Sequence, residues 1–325
     1  MNLSKTDAKV LAFLIEHRER ITLTELAKQL NIKKNNLGIY IKKLEKYRLI
    51  TVSRVGRTKQ VSGSYTHFLG FSKVKEKLPN LRLEDILTGK ISNILAYLQW
   101  YVATRFYQKK SIYFRISDIK LPGITTRRIL KKLSSLGIVY QPSKSWYSTR
   151  KESKEALRFC SEILTEIYVA EAEYELNGII GTRISFDNPE NAECIFITEK
   201  ENTPTSYWPT AYSILSRYGI RLIGAGRYYY SNIKPKIIDV AIHMLAVYND
   251  TRSIMYVCAL LIKHPFDYHK LLKKGNQFGI SDKFISNLIE FIETKGQKSQ
   301  AGFPSWDEVD SMVRAYQKIK GVSNG

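Results

Sequence analysis

The chain has 325 residues, 44% of them hydrophobic, and a formal net charge of +21. This length exceeds what a single hydrophobic core spans and predicts two or three domains. No apolar run reaches the roughly 18 to 20 residues of a membrane helix, the N-terminus has no signal-peptide pattern, and the three cysteines are too far apart for a disulfide framework or a zinc site. We therefore expect a cytoplasmic protein without cofactor, metal or membrane partner.

The net positive charge lies entirely in one half of the chain. Residues 1–155 contain 32 Lys and Arg against 11 Asp and Glu, whereas residues 156–325 contain 19 of each. A basic half joined to a neutral half indicates a polyanionic partner, because Lys and Arg bound to phosphates release condensed counterions. The expected partner is double-stranded DNA, although a basic surface can also serve solubility alone.

The first 62 residues follow a helix, helix, helix, hairpin order. Residues 5–17 show helical apolar spacing, and Thr22 with Glu25 forms a capping box before a short second helix that ends near Asn31. A third helix follows, with Leu37, Ile41 and Leu44 facing inward. Residues 50–55 and 60–62 are β-prone runs around the basic turn Gly56-Arg57-Thr58-Lys59. This order resembles the winged helix of many bacterial and archaeal transcription regulators.

The resemblance implies that the third helix enters the major groove while the hairpin reaches phosphates. Asn35 and Asn36 are candidate adenine readers with Tyr40 beside them, although either asparagine can instead cap the helix. The basic residues, Lys42 included, are expected to position the protein on phosphates, or alternatively only to solvate a helix face. The candidate DNA-binding residues of this segment are Lys33, Lys34, Asn35, Asn36, Tyr40, Lys43, Arg54, Arg57 and Lys59.

The same order recurs with weaker caps. Residues 94–106 predict a helix, residues 112–116 a short strand, and residues 117–120 a brief helical turn capped by Ser117 and closed by Gly123-Ile124. The run TTRRILKKLSSLGIV then predicts a second recognition helix with a Leu-x-x-x-Gly exit into a wing whose tip is Pro142-Ser143-Lys144.

This second helix is the more basic of the two, and we interpret its arginines as phosphate contacts ahead of guanine contacts. Its candidate DNA-binding residues are Thr125, Arg127, Arg128, Lys131, Lys132 and Lys144. Two such modules in one chain can occupy successive major grooves. Alternatively, one copy keeps the fold without DNA contact and serves as a protein-binding module.

The neutral half begins with a long helix at residues 151–177, which is either a core helix or, through a heptad-like seam ending at Tyr174, a dimer contact. Strands are predicted at residues 183–186, 194–198, 221–223 and 228–230, with a helix at 210–218. Five helices follow, at residues 237–248, 253–264, 267–278, 282–294 and 305–319. This order predicts a small α/β layer followed by a helical bundle.

The helical part carries a second resemblance, through IIDVAIHMLAVYNDTRSIMYVCALLIKH and FDYHKLLKKGNQFGISDKFISNLIEFIE. It looks like the nucleotidyltransferase-like domain of AbiEi-type abortive-infection antitoxins and their archaeal relatives. That resemblance implies an N-terminal winged helix that represses its own operon and a C-terminal domain that acts on a protein partner. Two winged helices depart from the simplest pattern of that family.

Catalysis is not expected. Active nucleotidyltransferases place two acidic residues on one strand after a Gly-Ser turn, to hold Mg²⁺ against phosphates. Here Gly181-Thr182 is the candidate turn, but the strand from Glu193 has no acidic pair at alternate positions; Glu199 and Glu201 alternate only in a polar loop beyond it. The pair Gly224 and Gly226 lacks the third glycine of a dinucleotide site. The aromatic runs at residues 207–209 and 228–230 are either base-stacking surfaces or core.

The sequence thus predicts an α+β, mostly helical fold: two winged helix-turn-helix domains followed by an α/β plus helical C-terminal domain. The expected segments are 1–71 and 91–150 for the winged helices, 72–90 for a connector with one short helix at residues 83–87, 151–178 for a linking helix and 179–325 for the C-terminal domain. The predicted function is sequence-specific DNA binding in transcription regulation, with a protein partner or a homodimer formed through the C-terminal half. The alternative is a non-specific architectural protein of chromatin or replication.

Overall fold

The computed structural model describes residues 3–17, 19–107, 111–220, 222 and 226–320, with side chains up to residue 315. It separates into two units. The first holds the described residues up to Glu171 together with Phe186–Ala192, and the second holds Ala172–Ser185 with the described residues from Glu193 onward. Helices account for 57% of the residues and the sheets are antiparallel, so the predicted α+β, mostly helical class is confirmed.

The first module, residues 5–63, has the predicted helix, helix, helix, hairpin order. Its elements are α1 (Lys5–Glu16), β1 (Ile21–Thr22), α2 (Leu23–Leu30), α3 (Lys34–Lys46), β2 (Ile50–Val55) and β3 (Thr58–Gly63). The capping box is present, since the Glu25 amide donates to the Thr22 hydroxyl at 3.2 Å and the Thr22 amide to the Glu25 carboxylate at 3.0 Å. Asn31 ends α2 in the left-handed conformation, with φ 52°.

A three-stranded sheet closes this module in the order β1-β3-β2, with Ile21 opposite Val61 and Ile50 opposite Gly63. Gly63 lies against α1 so closely that a Cβ there would stand 2.6 Å from the carbonyl oxygen of Leu14. Only glycine therefore lets β3 pack on the helix. The hairpin is therefore fixed to the helical core at its base.

Two helices connect the first module to the next segment: α4 (Tyr65–Lys77) and α5 (Leu83–Leu87). The short helix α5 is confirmed, whereas α4 has no counterpart in the sequence prediction and runs across the expected domain boundary at residue 71. It forms because His67, Phe71 and Val74 recur at helical spacing and are buried.

The second module, residues 90–149, repeats the order in reduced form. It consists of α6 (Lys90–Tyr107), a 3₁₀ turn (Ile116–Asp118), α7 (Gly123–Ser135), β4 (Val139–Ser143) and β5 (Trp146–Thr149). The strand predicted at residues 112–116 is wrong, because only Phe114 forms a bridge there, with Tyr147. This bridge joins the second wing strand, as β1 does in the first module.

Three further corrections concern the turn before α7. Ser117 does not cap it; instead the Asp118 carboxylate accepts the Arg115 amide at 2.7 Å, because a carboxylate at the third position of a turn reaches back to its first donor. The predicted helical turn at residues 117–120 is a 3₁₀ turn at Ile116–Asp118. Gly123 and Ile124 belong to the first turn of α7 and do not close the preceding one.

A long helix, α8 (Lys154–Leu176), begins in the first unit and ends in the second. Leu157, Cys160, Leu164 and Ile167 are buried, as the core-helix interpretation expects. Tyr174, the last residue of the alternative seam, is 87% exposed. The buried part of the helix is therefore packed within the chain itself.

The second unit contains a four-stranded antiparallel sheet and a helical bundle. The strands, paired in the order β6-β7-β9-β8, are β6 (Ile179–Ser185), β7 (Glu193–Thr198), β8 (Trp208–Pro209) and β9 (Tyr228–Ser231). The helices are α9 (Ile237–Val247), α10 (Thr251–Lys263), α11 (Tyr268–Gln277), α12 (Asp282–Glu293) and α13 (Trp306–Lys320). All five predicted helices are present.

Residues 211–218, predicted as an α-helix, form a 3₁₀ helix. The predicted strand at Arg221 to Ile223 and the pair Gly224 and Gly226 fall on a stretch of which the structure describes only Leu222 and Gly226. Within the described part of the chain, no helix is both long enough and apolar enough to cross a bilayer.

Candidate nucleic-acid interface

Helix α3 is held by one buried face. Leu37, Ile41 and Leu44 are buried against the module core, and their spacing fixes the rotation of the helix about its axis. Asn35, Ile39 and Lys42 follow one another four and three residues apart on the opposite face, and all three are exposed. This outermost face presents an amide, an apolar side chain and a cation to any partner.

The other predicted residues of α3 lie around this face. Lys33, Lys34 and Asn36 are exposed and Tyr40 is half-buried. No side chain caps the helix start at Lys33, so neither asparagine acts as the cap. The side-chain amides of Asn35 and Asn36 are therefore not engaged in capping the start of α3.

Lys43 is placed differently. Its ammonium lies 2.6 Å from Oδ2 of Asp7, a buried carboxylate that also accepts the Ser4 amide at 2.8 Å. The charge of Lys43 is thus compensated inside its own module. The pair fixes α3 against the start of α1, so this residue holds the recognition face in position.

The wing presents cations with no intervening acid. Arg54 and Lys59 stand directly opposite each other across the β2–β3 hairpin, and Arg57 lies at its tip beside Gly56, whose φ of +59° allows the tight turn. Arg54 and Arg57 are exposed, and Lys59 is partly so. Like charges facing across a hairpin destabilise it. A polyanion lying against the wing relieves this repulsion.

Helix α7 is oriented by the same principle. Thr126, Ile129, Leu130 and Leu133 are buried, and the opposite face carries Ile124, Arg128 and Lys131 at spacings of four and three residues. Arg127 is also exposed and Thr125 is half-buried. The order of outward and inward residues matches that of α3.

Lys132 lies on the flank of α7 and pairs with Oδ1 of Asp85 at 3.0 Å. Burial alone would raise the pKa of Asp85, but hydrogen bonds from Arg82 and Lys132 lower it below its ordinary value. Lys132, like Lys43, is therefore tied to a carboxylate of its own unit.

A cleft of about 530 Å³ opens between the 3₁₀ turn, α7 and the second wing. It is lined by Arg115, Arg127, Lys144 and Trp146, among others, and the Arg115 guanidinium lies 4.1 Å from the centroid of the Trp146 ring. Lys144 is exposed at the wing tip. This arrangement places three cations and two aromatic rings, Trp146 and Tyr147, around a single concave surface.

Arg115 and Trp146 are missing from the sequence-predicted residues, whereas the sequence already turns Ile39 outward and includes Lys42 among the expected phosphate contacts. For Ile39 and Lys42 the spacing from Asn35 carries the information, since both continue its helical face. For Arg115 and Trp146 nothing in the sequence brings them together, because their stacking depends on the bridge between Phe114 and Tyr147.

Among the described residues, four exposed arginines of the two modules have no carboxylate partner. Among the residues that the structure describes, no carboxylate lies within 4.0 Å of the side-chain nitrogens of Arg54, Arg57, Arg127 or Arg128. Their full charge is therefore available to an external anion. They are divided between the first wing and α7, so both modules present uncompensated charge.

The second unit has a different kind of polar cluster. His243 is fully buried and lies 2.8 Å from Oε1 of Glu193 and 2.6 Å from the Thr210 hydroxyl, while Lys274 joins Glu193 at 2.5 Å and Asp239 at 2.9 Å. Burial alone would raise the pKa of Glu193, but the hydrogen bond from His243 and the charge of Lys274 lower it. The acid and its partners satisfy one another.

Gly181 and Thr182 do not form the expected turn. They lie within β6, where they pair with Ile197 and Phe196, because the strand continues to Ser185. The aromatic residues at 207–209 and 228–230 are largely packed: Tyr229 and Tyr230 are buried, and Tyr207 meets Phe196 edge-on at 5.4 Å. Trp208 is the most exposed ring of this group, at 38%.

Comparison with known proteins agrees with the geometry of the first module. Residues 3–51 match the family model described as winged helix-turn-helix DNA-binding, a range that begins before α1 and ends in the first wing strand. No curated protein matches the chain. The chain therefore carries a winged helix-turn-helix DNA-binding domain at its N-terminal end.

Proposed function

We propose that this chain is a sequence-specific regulator of transcription that binds double-stranded DNA through two winged helices in tandem. The observation that carries the proposal is the repetition of α3, its exit and its wing in α7 and the strands after it. The repeated parts agree in backbone hydrogen bonding, in backbone conformation and in the position of an internal ion pair.

The hydrogen bonds that end the two helices are equivalent. The Leu49 amide donates to the Leu44 carbonyl at 3.1 Å, and the Ile138 amide donates to the Leu133 carbonyl at 2.9 Å. Both donors lie at the same offset from their acceptors, and both begin the hydrophobic entry into a wing strand. A shared exit of this kind supports a common fold for the two modules.

The residue before each donor is left-handed. Arg48 has φ 59° and Gly137 has φ 74°, at equivalent places after α3 and α7. Glycine adopts this conformation at little cost, whereas an arginine adopts it only where the surrounding fold requires it. The turn is therefore set by the module and not by local sequence preference.

The ion pairs also correspond. Lys43 and Lys132 occupy the same position relative to the buried stripes of α3 and α7, and each binds a carboxylate of its unit. Their neighbours toward solvent, Lys42 and Lys131, are exposed and point away from the core. In each module, one lysine supports the helix and the lysine before it is available to DNA.

Two modules in one chain provide what dimeric regulators achieve with two subunits, which is a pair of recognition helices for successive major grooves. Exposed Arg127, Arg128, Lys131 and Lys144 in the second module favour DNA contact there over a purely protein-binding role. We assign phosphate contacts to the wings and base contacts to the exposed faces of α3 and α7.

For the second unit we propose a non-catalytic role in binding a protein partner or a second copy of the chain, as in antitoxin-like, autoregulatory repressors. The contacts of Glu193 with His243 and Lys274 support the non-catalytic assignment. They occupy both oxygens of a carboxylate that a catalytic site would need to hold a metal ion. Such a protein acts in the cytoplasm on the nucleoid.

The test is a footprint of the full chain on genomic DNA fragments at physiological salt. A regulator protects discrete sites, whereas a non-specific architectural protein coats fragments evenly. Discrete protection lost in the Arg127→Ala/Arg128→Ala variant supports the proposal. Even coating favours the architectural alternative, and no binding contradicts both.

A further inference from the structure

The exposed face of α3 contains an isoleucine that no part of its module covers. Ile39 is 67% exposed, between Asn35 and Lys42 on the outermost face of the helix. A single exposed apolar residue is ordinary on a protein surface. Ile39, however, lies at the centre of the face that we place in the major groove, which makes it a candidate for a base contact.

The neighbouring glycine is a second, independent observation. Within the described residues, three glycines lie inside α-helices away from their first turn: Gly38 in α3, Gly70 in α4 and Gly275 in α11. A Cβ on Gly70 would meet the Phe159 ring at 3.0 Å, and a Cβ on Gly275 would meet Ile285 at 3.1 Å. These two glycines are explained by packing inside the protein.

Gly38 has no such explanation. A Cβ there would meet nothing within 4 Å among the described residues, and its φ is that of an ordinary helix. Glycine inside a helix costs roughly 1 kcal/mol relative to alanine. A helix that carries this cost without an internal reason is suited to an external surface that approaches its backbone closely.

We propose that α3 lies in the major groove with Gly38 against the DNA and with Ile39 in contact with the 5-methyl group of a thymine. The half-site of the first module is therefore A·T-rich. This inference rests on the proposed function and adds to it the class of sequence that one module selects.

The chemistry of the groove selects thymine. Of the four bases, only thymine presents an apolar group on the major-groove edge, and adenine presents the N6 donor and N7 acceptor that an asparagine amide pairs with. Asn35 lies one helical turn before Ile39, so the two residues address neighbouring base pairs. Lys34 and Lys42 are exposed near them and are suited to contacts with the phosphates along the groove.

The second module supplies an internal contrast. Arg128 occupies in α7 the position that Ile39 occupies in α3, relative to the buried stripes of the two helices. A guanidinium there is suited to the O6 and N7 acceptors of guanine and gains nothing from a thymine methyl. At the position of Ile39, sensitivity to a thymine methyl group is therefore expected in the first half-site, whereas the exposed isoleucine of α7, Ile124, stands at the position of Asn35.

The experiment is a chemical double-mutant cycle on the full chain. A duplex selected from a random pool by the wild-type protein is resynthesised with deoxyuridine in place of thymidine, one position at a time, and dissociation constants are measured by fluorescence anisotropy. At one position in the first half-site the wild type should lose about fourfold in affinity, the value of one buried methyl group. Ile39→Ala should bind both duplexes equally.

The control is Leu69→Ala, which removes a 43% exposed apolar side chain from α4 in the same unit. It should keep the wild-type sensitivity to deoxyuridine. Equal loss in wild type and Ile39→Ala at every position overturns the inference while leaving DNA binding intact. Failure of the wild type to select or bind any duplex overturns the proposed function itself, and this inference with it.

Gly38→Ala gives a second readout that a purely structural role would not produce. Alanine should raise the melting temperature, because its methyl group meets nothing and favours the helix. The same methyl should lower affinity for the selected duplex by about tenfold, within the range of a mismatched base pair. A higher melting temperature with unchanged affinity contradicts close approach at Gly38.

Discussion

Replacing Arg127 and Arg128 together by alanine tests how the second module meets DNA. Both guanidiniums are exposed, and among the described residues no carboxylate lies within 4.0 Å of them, so their whole charge is available to phosphates. Each phosphate contact contributes about −0.9 to the slope of log Kobs against log salt. Loss of two contacts should make the slope less negative by about 1.8.

The change in slope can be expressed as a ratio of wild-type to variant affinity at two salt concentrations. If salt is raised fourfold, the ratio of wild-type to variant affinity should fall about twelvefold, because the wild type releases two more counterions. The assay is fluorescence anisotropy with the full chain and one duplex across a series of salt concentrations. Circular dichroism of both proteins establishes that the variant is folded.

The matched control removes the same charge from the second unit, in Arg217→Ala/Arg227→Ala. Both of these guanidiniums are also exposed. Screening within about 10 Å at 0.1 M salt makes their remote effect small. An unchanged slope in the Arg127→Ala/Arg128→Ala variant, or an equal change in the control, would refute the assignment of α7 to the DNA surface.

The remaining predictions concern stability. Leu44→Ala removes a fully buried side chain from the core face of α3 and should cost about 2 to 5 kcal/mol in chemical denaturation, and a cost below about 1 kcal/mol would show that α3 is not packed there. At the left-handed exits, Arg48→Gly should stabilise and Gly137→Ala destabilise the protein by about 1 kcal/mol each, and equal signs for the two would contradict the shared turn. Glu193 has a lowered pKa, so it contributes stability above its ordinary value of 4.5 that is lost as pH falls through the lowered value. Glu193→Gln should therefore lower stability at pH 7 and flatten its dependence on pH below 4.5, as measured by thermal melts, and an unchanged slope would contradict the pairing.

The elements that could be predicted from sequence are those whose local pattern and tertiary role agree. The capping box at Thr22 and Glu25 and the stripe of Leu37, Ile41 and Leu44 each specify a helix without information from elsewhere in the chain. Helices α3 and α7 and the hairpins that follow them can be predicted from such patterns. They are also the parts that carry the candidate interface.

The missed elements depend on distant partners. Helix α4 contains Gly70 in its middle, which weakens the local helical pattern, yet Gly70 is there because the Phe159 ring lies against it. The strand predicted at residues 112–116 is reduced to one bridge because Tyr147 pairs only with Phe114. Neither contact can be predicted from the sequence, because each joins residues that are far apart along the chain.

In the candidate interface, too, residue spacing predicts which side chains are exposed but not which of them have partners elsewhere in the fold. Spacing from the buried stripe correctly places Arg127, Arg128 and Lys131 on the exposed side of α7. It does not show that Lys43 and Lys132 are used internally, since Asp7 and Asp85 come from other helices. Identical residue types therefore have different roles according to which carboxylates the fold brings near.

Lysine acetylation footprinting, read by mass spectrometry on the full chain with and without duplex DNA, tests directly whether both modules contact DNA and the second unit does not. We expect DNA to slow the acetylation of Lys42, Lys59 and Lys131, which lie on α3, the first wing and α7. Lys270 and Lys298, exposed in the second unit, should react at the same rate in both samples. Protection of Lys270 and Lys298 with unchanged reactivity of Lys42, Lys59 and Lys131 would contradict this expectation.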